Sequence, residues 1–456
     1  MKKNDIVELT IESLSPEGRG LAKYNDKLVF VRDALPGEKV KAEVLAVHEN
    51  TMAAKSVEIV KASPDRVQGD NEKWANNGYA RLANYKYDKQ LEFKKSRIEQ
   101  LLKKNEMDDV TVNDVIPSPK KLTYRNELVL PVREINGQLE VGFYEPRTAK
   151  FIPLNSYLIA NENVAQAILG VRDILRKLKV SAYNPETNTG FIRDIDVRRS
   201  HSNNGMIVTL VTHENDHYDL PEIVGLVTQT MHNINGIVLN YNPHKPTDVT
   251  DSEQIFGKSN IPIWGDDYVE DTINDMTFKV SPKSFFQANG SQLQTIMDLA
   301  LNLADLHPDD KLIDAYCGVG TLGLLAAKDV ASVRGIENAQ VTIEDARANA
   351  KKNKIDNIIF YNGSVEQIVA RFAKNGENAD VIITAPPVKG LSQGFIDAAV
   401  EMKPRRIVYG SANPDTMVRD LKRFKNSGYT TSKLLPIDTS PQTPDLKCFC
   451  VLTPAK

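Results

Sequence analysis

Apolar positions along the chain follow two rhythms. Between residues 6 and 62 they fall in short runs: IVELTIESL, KLVFVRDAL, KVKAEVLAV and SVEIVKA. The turn signals PEGRG, YND and LPGE separate the first three. Short strands at this spacing predict a small closed, OB-like barrel, which serves either as an oligonucleotide-binding module or as a scaffold. ASPDRVQGDN then reads as a linker. KYDKQLEFKKSRIEQLLKKNEM, near 86–107, predicts an amphipathic helix with Leu91, Ile98, Leu101 and Leu102 on one face and lysines on the other. That lysine face reads as solvated surface or as an RNA contact. From about 123 to 275 the runs ELVLPVREI, LEVGFYE, MIVTLVTHE and GIVLNYN, broken by glycine, asparagine and proline, predict a second, α+β domain.

After about 276 strands and helices alternate. QLQTIMDLALNLADL is helical, KLIDAYC a strand and NAQVTIEDARANAKKN a helix. The same exchange continues through NIIFYNG, SVEQIVARFAK, ADVIITA, FIDAAVEM, RRIVYG and TMVRDLKRFK, and LKCFCVL reads as a closing strand. This order predicts a mostly parallel, doubly wound α/β sheet of the Rossmann-like kind. Its apolar runs lack alternation because such strands are buried on both faces. The expected domains are therefore 1–64 (barrel), 65–275 (linker, helix and central α+β domain) and 276–456 (α/β domain).

A length of 456 residues exceeds one ordinary core, in keeping with several domains. The net charge of −3 gives no global basic field, so an RNA site has to be a local patch. The local cation runs are the helix near 94–104, KPRR and RDLKRFK, all of which read first as solvated faces. The start, MKKNDIVELTIES, lacks a signal peptide's apolar core, and no run of 18 apolar residues exists, so a cytoplasmic protein without a membrane span is expected. The three cysteines, Cys317, Cys448 and Cys450, are too few for a disulfide framework or a four-cysteine zinc or iron–sulfur site. No metal site is expected.

The chemistry begins at KLIDAYCGVGTLGLLAA, a strand, a tight glycine turn and a helix start. Gly318, Gly320 and Gly323 satisfy the dinucleotide fingerprint, and Glu337 ends the next strand where a ribose-binding carboxylate belongs. The pattern predicts a nucleotide-like ligand and leaves its identity open. NAD and S-adenosylmethionine both offer a ribose diol. S-adenosylmethionine needs no phosphate cradle, and Asp314 is a candidate partner for its cationic amino group. The competing role for Asp314 is local capping at a strand end.

Several longer stretches carry a resemblance. They are LSPEGRGLA and FVRDALPGEKV at the start, TYRNELVLPV and VGFYEPRTAKFIPL in the middle, and VSPKSFFQANGSQ, DAYCGVGTLGL, GIENAQVTIEDARANAKKN, APPVKGL and YGSANPDTMVRDL in the last third. Together they resemble the RNA uracil-C5 methyltransferases, particularly the branch with an N-terminal TRAM barrel that methylates 23S ribosomal RNA. The resemblance implies a class I methyltransferase domain, S-adenosylmethionine as cofactor and structured, ribosomal RNA as partner. It assigns Gln287, Tyr316 and Glu337 to the cofactor. In that family a cysteine thiolate adds to C6 of a flipped-out uridine, C5 attacks the methyl group, and a base removes the C5 proton.

The resemblance breaks where that chemistry sits. The family's Ser-Cys-Asn-Pro loop is here Ser411-Ala412-Asn413-Pro414, its glutamate base falls at Lys447, and its Asp-Pro-Pro-Arg motif is Ala385-Pro386-Pro387-Val388. Cysteines seen near 70–83 in many relatives are missing from GDNEKWANNGYARL, so no iron–sulfur cluster is expected. Cys317, Cys448 and Cys450 read as buried apolar residues, not as replacement nucleophiles. Loss of a covalent nucleophile alone costs roughly a millionfold in rate in other enzymes. The expectation is a family member that binds RNA and cofactor but has no catalytic residue for uracil methylation. The competing expectation is an active methyltransferase, on uracil C5 of 23S ribosomal RNA or on another atom. A dinucleotide oxidoreductase, resting on the glycine fingerprint alone, is the remote third.

Overall fold

The computed structural model describes every residue except 1, 70–73, 76–78, 146–149, 215–218, 250, 252–253 and 456. The chain forms two compact units. One comprises Met1–Leu122, Ala412–Pro414 and Ser432–Cys448, and the other Thr123–Ser411, Asp415–Thr431 and Phe449–Lys456.

The first unit begins with six strands: β1 (Ile6–Thr10), β2 (Ser13–Leu14), β3 (Gly20–Tyr24), β4 (Lys27–Arg32), β5 (Lys39–Val47) and β6 (Thr51–Lys61). They form one sheet in the order β1-β5-β6-β4-β3-β2. Alternation sets the inner face, where Val7, Leu9, Val29, Val31, Val40, Val44 and Met52 make the core. The YND signal is a two-residue hairpin turn. Asn25 and Asp26 both have positive φ, 46° and 62°, which matches the right-handed twist of the flanking strands. The segment read as a linker is fastened to this sheet. Arg66 donates from Nε to Oε1 of the fully buried Glu38 at 2.6 Å, and the Leu35 amide donates to its Oε2. Part of the stretch near 70–83, discussed for cluster ligands, lies outside the described residues.

Helix α1 (Tyr87–Lys104) corrects the expected face. Its buried positions are Gln90, Lys94, Ile98 and Leu102, four residues apart, whereas Leu91 and Leu101 are only partly buried. Two of the four are polar because each has a partner on the returning segment Ser432–Cys448. Lys94 donates from Nζ to Asp438 Oδ1 at 2.6 Å and to the Ser440 carbonyl at 3.1 Å. Tyr87 donates to Asp438 Oδ2, and the Gln90 side-chain amide donates to Gln442 Oε1. A short strand, β7 (Thr111–Val112), pairs in parallel with Lys433–Leu434 of the same return.

The second unit holds a seven-stranded sheet, β10-β9-β8-β11-β12-β13-β14. Its strands are β8 (Glu127–Ile135), β9 (Gln138–Tyr144), β10 (Phe151–Pro153), β11 (Ile192–Arg199), β12 (Met206–Thr212), β13 (Ile234–Tyr241) and β14 (Asn260–Gly265). Helices α2 (Glu162–Lys177) and α3 (Leu220–Thr230) accompany it. A hairpin follows, β15 (Val269–Ile273) and β16 (Met276–Val280), turned by Asn274 and Asp275 at positive φ. The expected boundary at 275/276 thus falls inside a two-strand ribbon.

Beyond it come α4 (Leu293–Ala304), β17 (Lys311–Ala315), α5 (Thr321–Ala326), β18 (Ser332–Glu337), α6 (Gln340–Lys352), β19 (Ile358–Asn362) and α7 (Val365–Lys374). Then follow β20 (Val381–Thr384), α8 (Gln393–Glu401), β21 (Arg406–Ser411) and α9 (Pro414–Asn426). The strands pair in parallel in the order β19-β18-β17-β20-β21, as the alternating sequence predicts. The strand Lys447–Pro454 follows β21 in this sheet. Ser364 and Ser392 cap α7 and α8 by accepting from Gln367 and Phe395 amides. The arginines of KPRR and RDLKRFK are ion-paired within the fold: Arg405 to Asp310, Arg406 to Asp305, and Arg419 and Arg423 to Asp420.

The buried Lys94–Asp438 pair should dominate the stability of the first unit. Asp438→Ala is expected to destabilise the protein by roughly 3–5 kcal/mol, because it strands a buried ammonium. Asp114→Ala, which breaks the exposed Lys95–Asp114 pair, is expected to cost far less, because solvent screens that pair. Urea unfolding of the two variants checks this, and equal costs would contradict it.

Candidate active site

In the parallel sheet the strand order reverses between β17 and β20, the place where such sheets bind ligands outside the strands' carboxyl ends. The glycine loop leaves β17 there. Tyr316, Gly318 and Gly320 all take positive φ, 61°, 56° and 83°. Gly320 leads into α5, and a Cβ on it would come within 3.0 Å of the Phe360 ring. A Cβ on Gly318 would meet only the Phe285 carbonyl, at 3.8 Å, so open space lies over that residue. Tyr316 has no such freedom and is held in place by neighbours. Its hydroxyl donates to Glu366 Oε1 at 2.8 Å, and its ring centroid lies 6.0 Å from that of Phe395.

Three carboxyl groups surround the loop. Glu337, at the end of β18, accepts from the Asn338 and Ala339 amides through Oε1, and from the Gly318 amide at 3.2 Å through Oε2. Asp314 is 3% exposed, and its Oδ2 accepts from the Gly323 amide at 2.8 Å. Burial pushes the Asp314 carboxyl up to about 7, with the Glu337 charge adding to the rise and the Gly323 amide opposing it. Burial would also raise Glu366, but its own amide and the hydroxyls of Tyr316 and Ser364 hold it below the usual carboxylate range. No ion pair to any of the three is present among the described residues. A pyrophosphate would meet this ring of acids unfavourably, and the Gly318 amide is already spent on Glu337. A ribose diol and a cationic ligand suit it.

The other named positions are placed as follows. Gln287 lines a small cavity with Asn126, Glu127, Arg198, Asp271 and Phe286, in the loop after β16. Ala385 follows β20 directly and is exposed, and its amide reaches the Ala315 carbonyl at 3.5 Å, beside the glycine loop. Val388 is 60% exposed. Ala412 follows β21 directly, exposed, two residues before α9 begins. Lys447 opens the last strand; it is only part-exposed, and the surrounding protein pushes its ammonium down to about 8. Cys448 and Cys450 are buried, and burial, with Asp314 and Glu337, pushes the Cys317 thiol well above its ordinary value. Cys317 is therefore no activated thiolate.

Residues 255–455 match the tRNA (Uracil-5-)-methyltransferase family, and residues 2–57 match the TRAM domain. A protein of Lactobacillus johnsonii named an uncharacterized RNA methyltransferase is 44% identical over 452 residues, covering 99% of each chain. One of Streptococcus pyogenes serotype M18, named likewise, is 36% identical over 99% of this chain and 97% of its own. The chain belongs to the RNA uracil-C5 methyltransferase family. The crystal structure of Pyrococcus abyssi tRNA (uracil-54, C5)-methyltransferase, in complex with S-adenosyl-L-homocysteine, is 25% identical. It aligns over 98% of this chain and 100% of its own, with a TM-score of 0.76. The N-terminal strands are thus a TRAM domain, the parallel sheet is a class I methyltransferase fold, and the dinucleotide oxidoreductase expectation is overturned.

Glu366 escaped the sequence reading. The available signal was the serine cap two residues before it, which fixes the start of α7 and so the direction of that first-turn acid.

The Asp314 geometry gives a pH-dependent prediction. A carboxyl raised to about 7 in the folded chain favours folding while protonated. That contribution is complete below the unfolded value near 3.8 and is lost as pH rises through 7. Asp314→Asn should therefore stabilise the protein by about 2 kcal/mol more at pH 8 than at pH 5. Urea unfolding at both values checks it, and a pH-independent effect would refute it.

Proposed function

We propose that this family member binds S-adenosylmethionine and structured, ribosomal RNA but does not methylate uracil C5 by the family's covalent route. The observation that carries this is Ala412. A methyl group stands where the family's thiol adds to C6, in a loop whose Ser411, Asn413 and Pro414 are retained. Without that addition C5 stays a poor nucleophile. Ala385 and Val388 remove the carboxylate and guanidinium of the adjacent motif.

S-adenosylmethionine, when bound, supplies an electrophilic methyl group. Glu337 would accept hydrogen bonds from its ribose hydroxyls, Tyr316 would pack beside it, and Gln287, Gly318 and Gly320 would complete the pocket. Asp314 keeps the loop in shape through Gly323, and its charge favours a cationic ligand. The TRAM domain supports an RNA partner.

A second reading, methyl transfer to another RNA atom, draws support from Lys447. With its ammonium pushed down to about 8, roughly a tenth of the side chain is neutral at pH 7 and able to take a proton. The substitution at this place therefore weakens the base without abolishing it, and the decisive losses are the thiol at 412 and the carboxylate at 385.

Calorimetric titration with S-adenosyl-L-homocysteine is expected to give binding, and no heat at high micromolar ligand would sink the cofactor assignment. Incubation with unmodified ribosomal RNA and methyl-labelled cofactor is expected to leave no 5-methyluridine. Stoichiometric 5-methyluridine would overturn the proposal, and label in any other nucleoside would establish the second reading. Ala412→Cys is expected to stay inactive on C5, because Ala385 still lacks the carboxylate.

A further inference from the structure

Helix α6 and its C-cap residue carry a stripe of three polar side chains, Asp345, Asn349 and Asn353, spaced by four residues. Asp345 and Asn349 are 3% and 0% exposed. Such residues on an amphipathic helix normally face water, so their burial calls for partners. The partners are backbone groups on the outer edge of β16 and in the loop that follows it. Asn353 accepts from the Thr277 amide at 3.0 Å and donates to the Thr277 carbonyl at 2.8 Å. Asn349 accepts from the Lys279 amide at 2.6 Å and donates to the Lys279 carbonyl at 3.1 Å. Asp345 accepts from the Ser281 amide at 2.9 Å and from the Ser281 hydroxyl at 2.8 Å.

The spacing explains the match. Four helix residues advance about 6 Å and two strand residues about 6.7 Å. Side chains at every fourth helix position therefore meet every second residue of a strand. The helix substitutes for a neighbouring strand and satisfies the ribbon's open edge.

Two members of the stripe reach further. Asn349 also donates from Nδ2 to the Val319 carbonyl at 3.1 Å, inside the glycine loop. Asp345 also accepts from the Ser284 hydroxyl at 2.7 Å, one residue before Phe285 and three before Gln287. We infer that Asp345 and Asn349 are positioning residues that hold the glycine loop and the Gln287 loop at a fixed height against each other, so that cofactor affinity depends on this stripe. The inference rests on the cofactor reading above. Among the described residues Asn353 hydrogen-bonds to Thr277 and to the Asn349 carbonyl and to neither loop, so it serves as the internal control.

Asn349→Asp keeps the size and the oxygen that accepts from the Lys279 amide, but puts an acceptor oxygen where Nδ2 donates to the Lys279 and Val319 carbonyls. In the full-length protein it is expected to weaken S-adenosyl-L-homocysteine binding about tenfold or more, the effect of losing one well-placed hydrogen bond and facing acceptor with acceptor. Asn353→Asp, with a similar drop in thermal midpoint, is expected to leave affinity within about threefold. Amide hydrogen exchange of the unliganded proteins gives a readout that needs no cofactor. Asn349→Asp should speed exchange in 318–321 together with the outer edge of β16, and Asn353→Asp should speed it only near Thr277. If the unaltered protein binds no ligand, the cofactor reading falls while exchange still decides this inference. Equal exchange and affinity changes in the two variants would overturn it. Should Asn349→Asp fail to fold, Ser284→Ala takes its place. Faster exchange in 285–288 with weaker binding supports the inference, and unchanged values refute it.

Discussion

The first unit is organised around one buried charge. Lys94 is 0% exposed, and its ammonium is driven below the ordinary lysine range by burial, against the pull of Asp438. Stripping water from both ions costs several kcal/mol each, so the pair stands only with further hydrogen bonds to both of its members. The Ser440 carbonyl takes a second proton of the ammonium, and the Tyr87 hydroxyl takes the second carboxylate oxygen. The partners lie 344 positions apart in the chain. A helix from the N-terminal third and a segment near the C-terminus therefore complete one structure, and the return that carries Lys447 gains its place from a lysine on α1.

This long-range pairing also marks the limit of what the sequence discloses. The strands of the parallel sheet were legible because their signal is local: brief apolar runs, each followed by a helical period. The Asn25-Asp26 turn was legible for the same reason. Lys94 was misplaced because charge on an amphipathic helix counts as surface, and nothing within a helical turn announces a carboxylate at 438. Glu38 and Arg66 were hidden similarly, as a fully buried acid and an arginine in an apparent linker. The β15–β16 ribbon was divided because the change of rhythm at 276 is real, yet the turn at 274–275 joins two strands.

At the candidate site the sequence disclosed positions but not their engagements. Glu337 was placed by its distance from the glycine loop, and that inference needs no tertiary information. Its three accepted amide hydrogen bonds do, as does the Tyr316–Glu366 contact. Asp314 shows the same division. Its two candidate roles could not be separated by spacing, and the Gly323 amide fills the capping role directly.

These engagements change the weight of the retained and lost residues. Glu337 shapes the loop through Gly318, Tyr316 braces α7 through Glu366, and Asp314 anchors Gly323. Each has folding work independent of methyl transfer, so a chain that abandoned the chemistry would still suffer by losing them. Ala412 and Ala385 sit exposed at strand ends, where a cysteine or an aspartate stabilises little. Retention at the first set is thus accounted for by the fold alone, whereas absence at the second has no structural cost to explain it. The proposal that covalent uracil methylation is lost therefore rests on Ala412 and Ala385 and not on the retained loop residues.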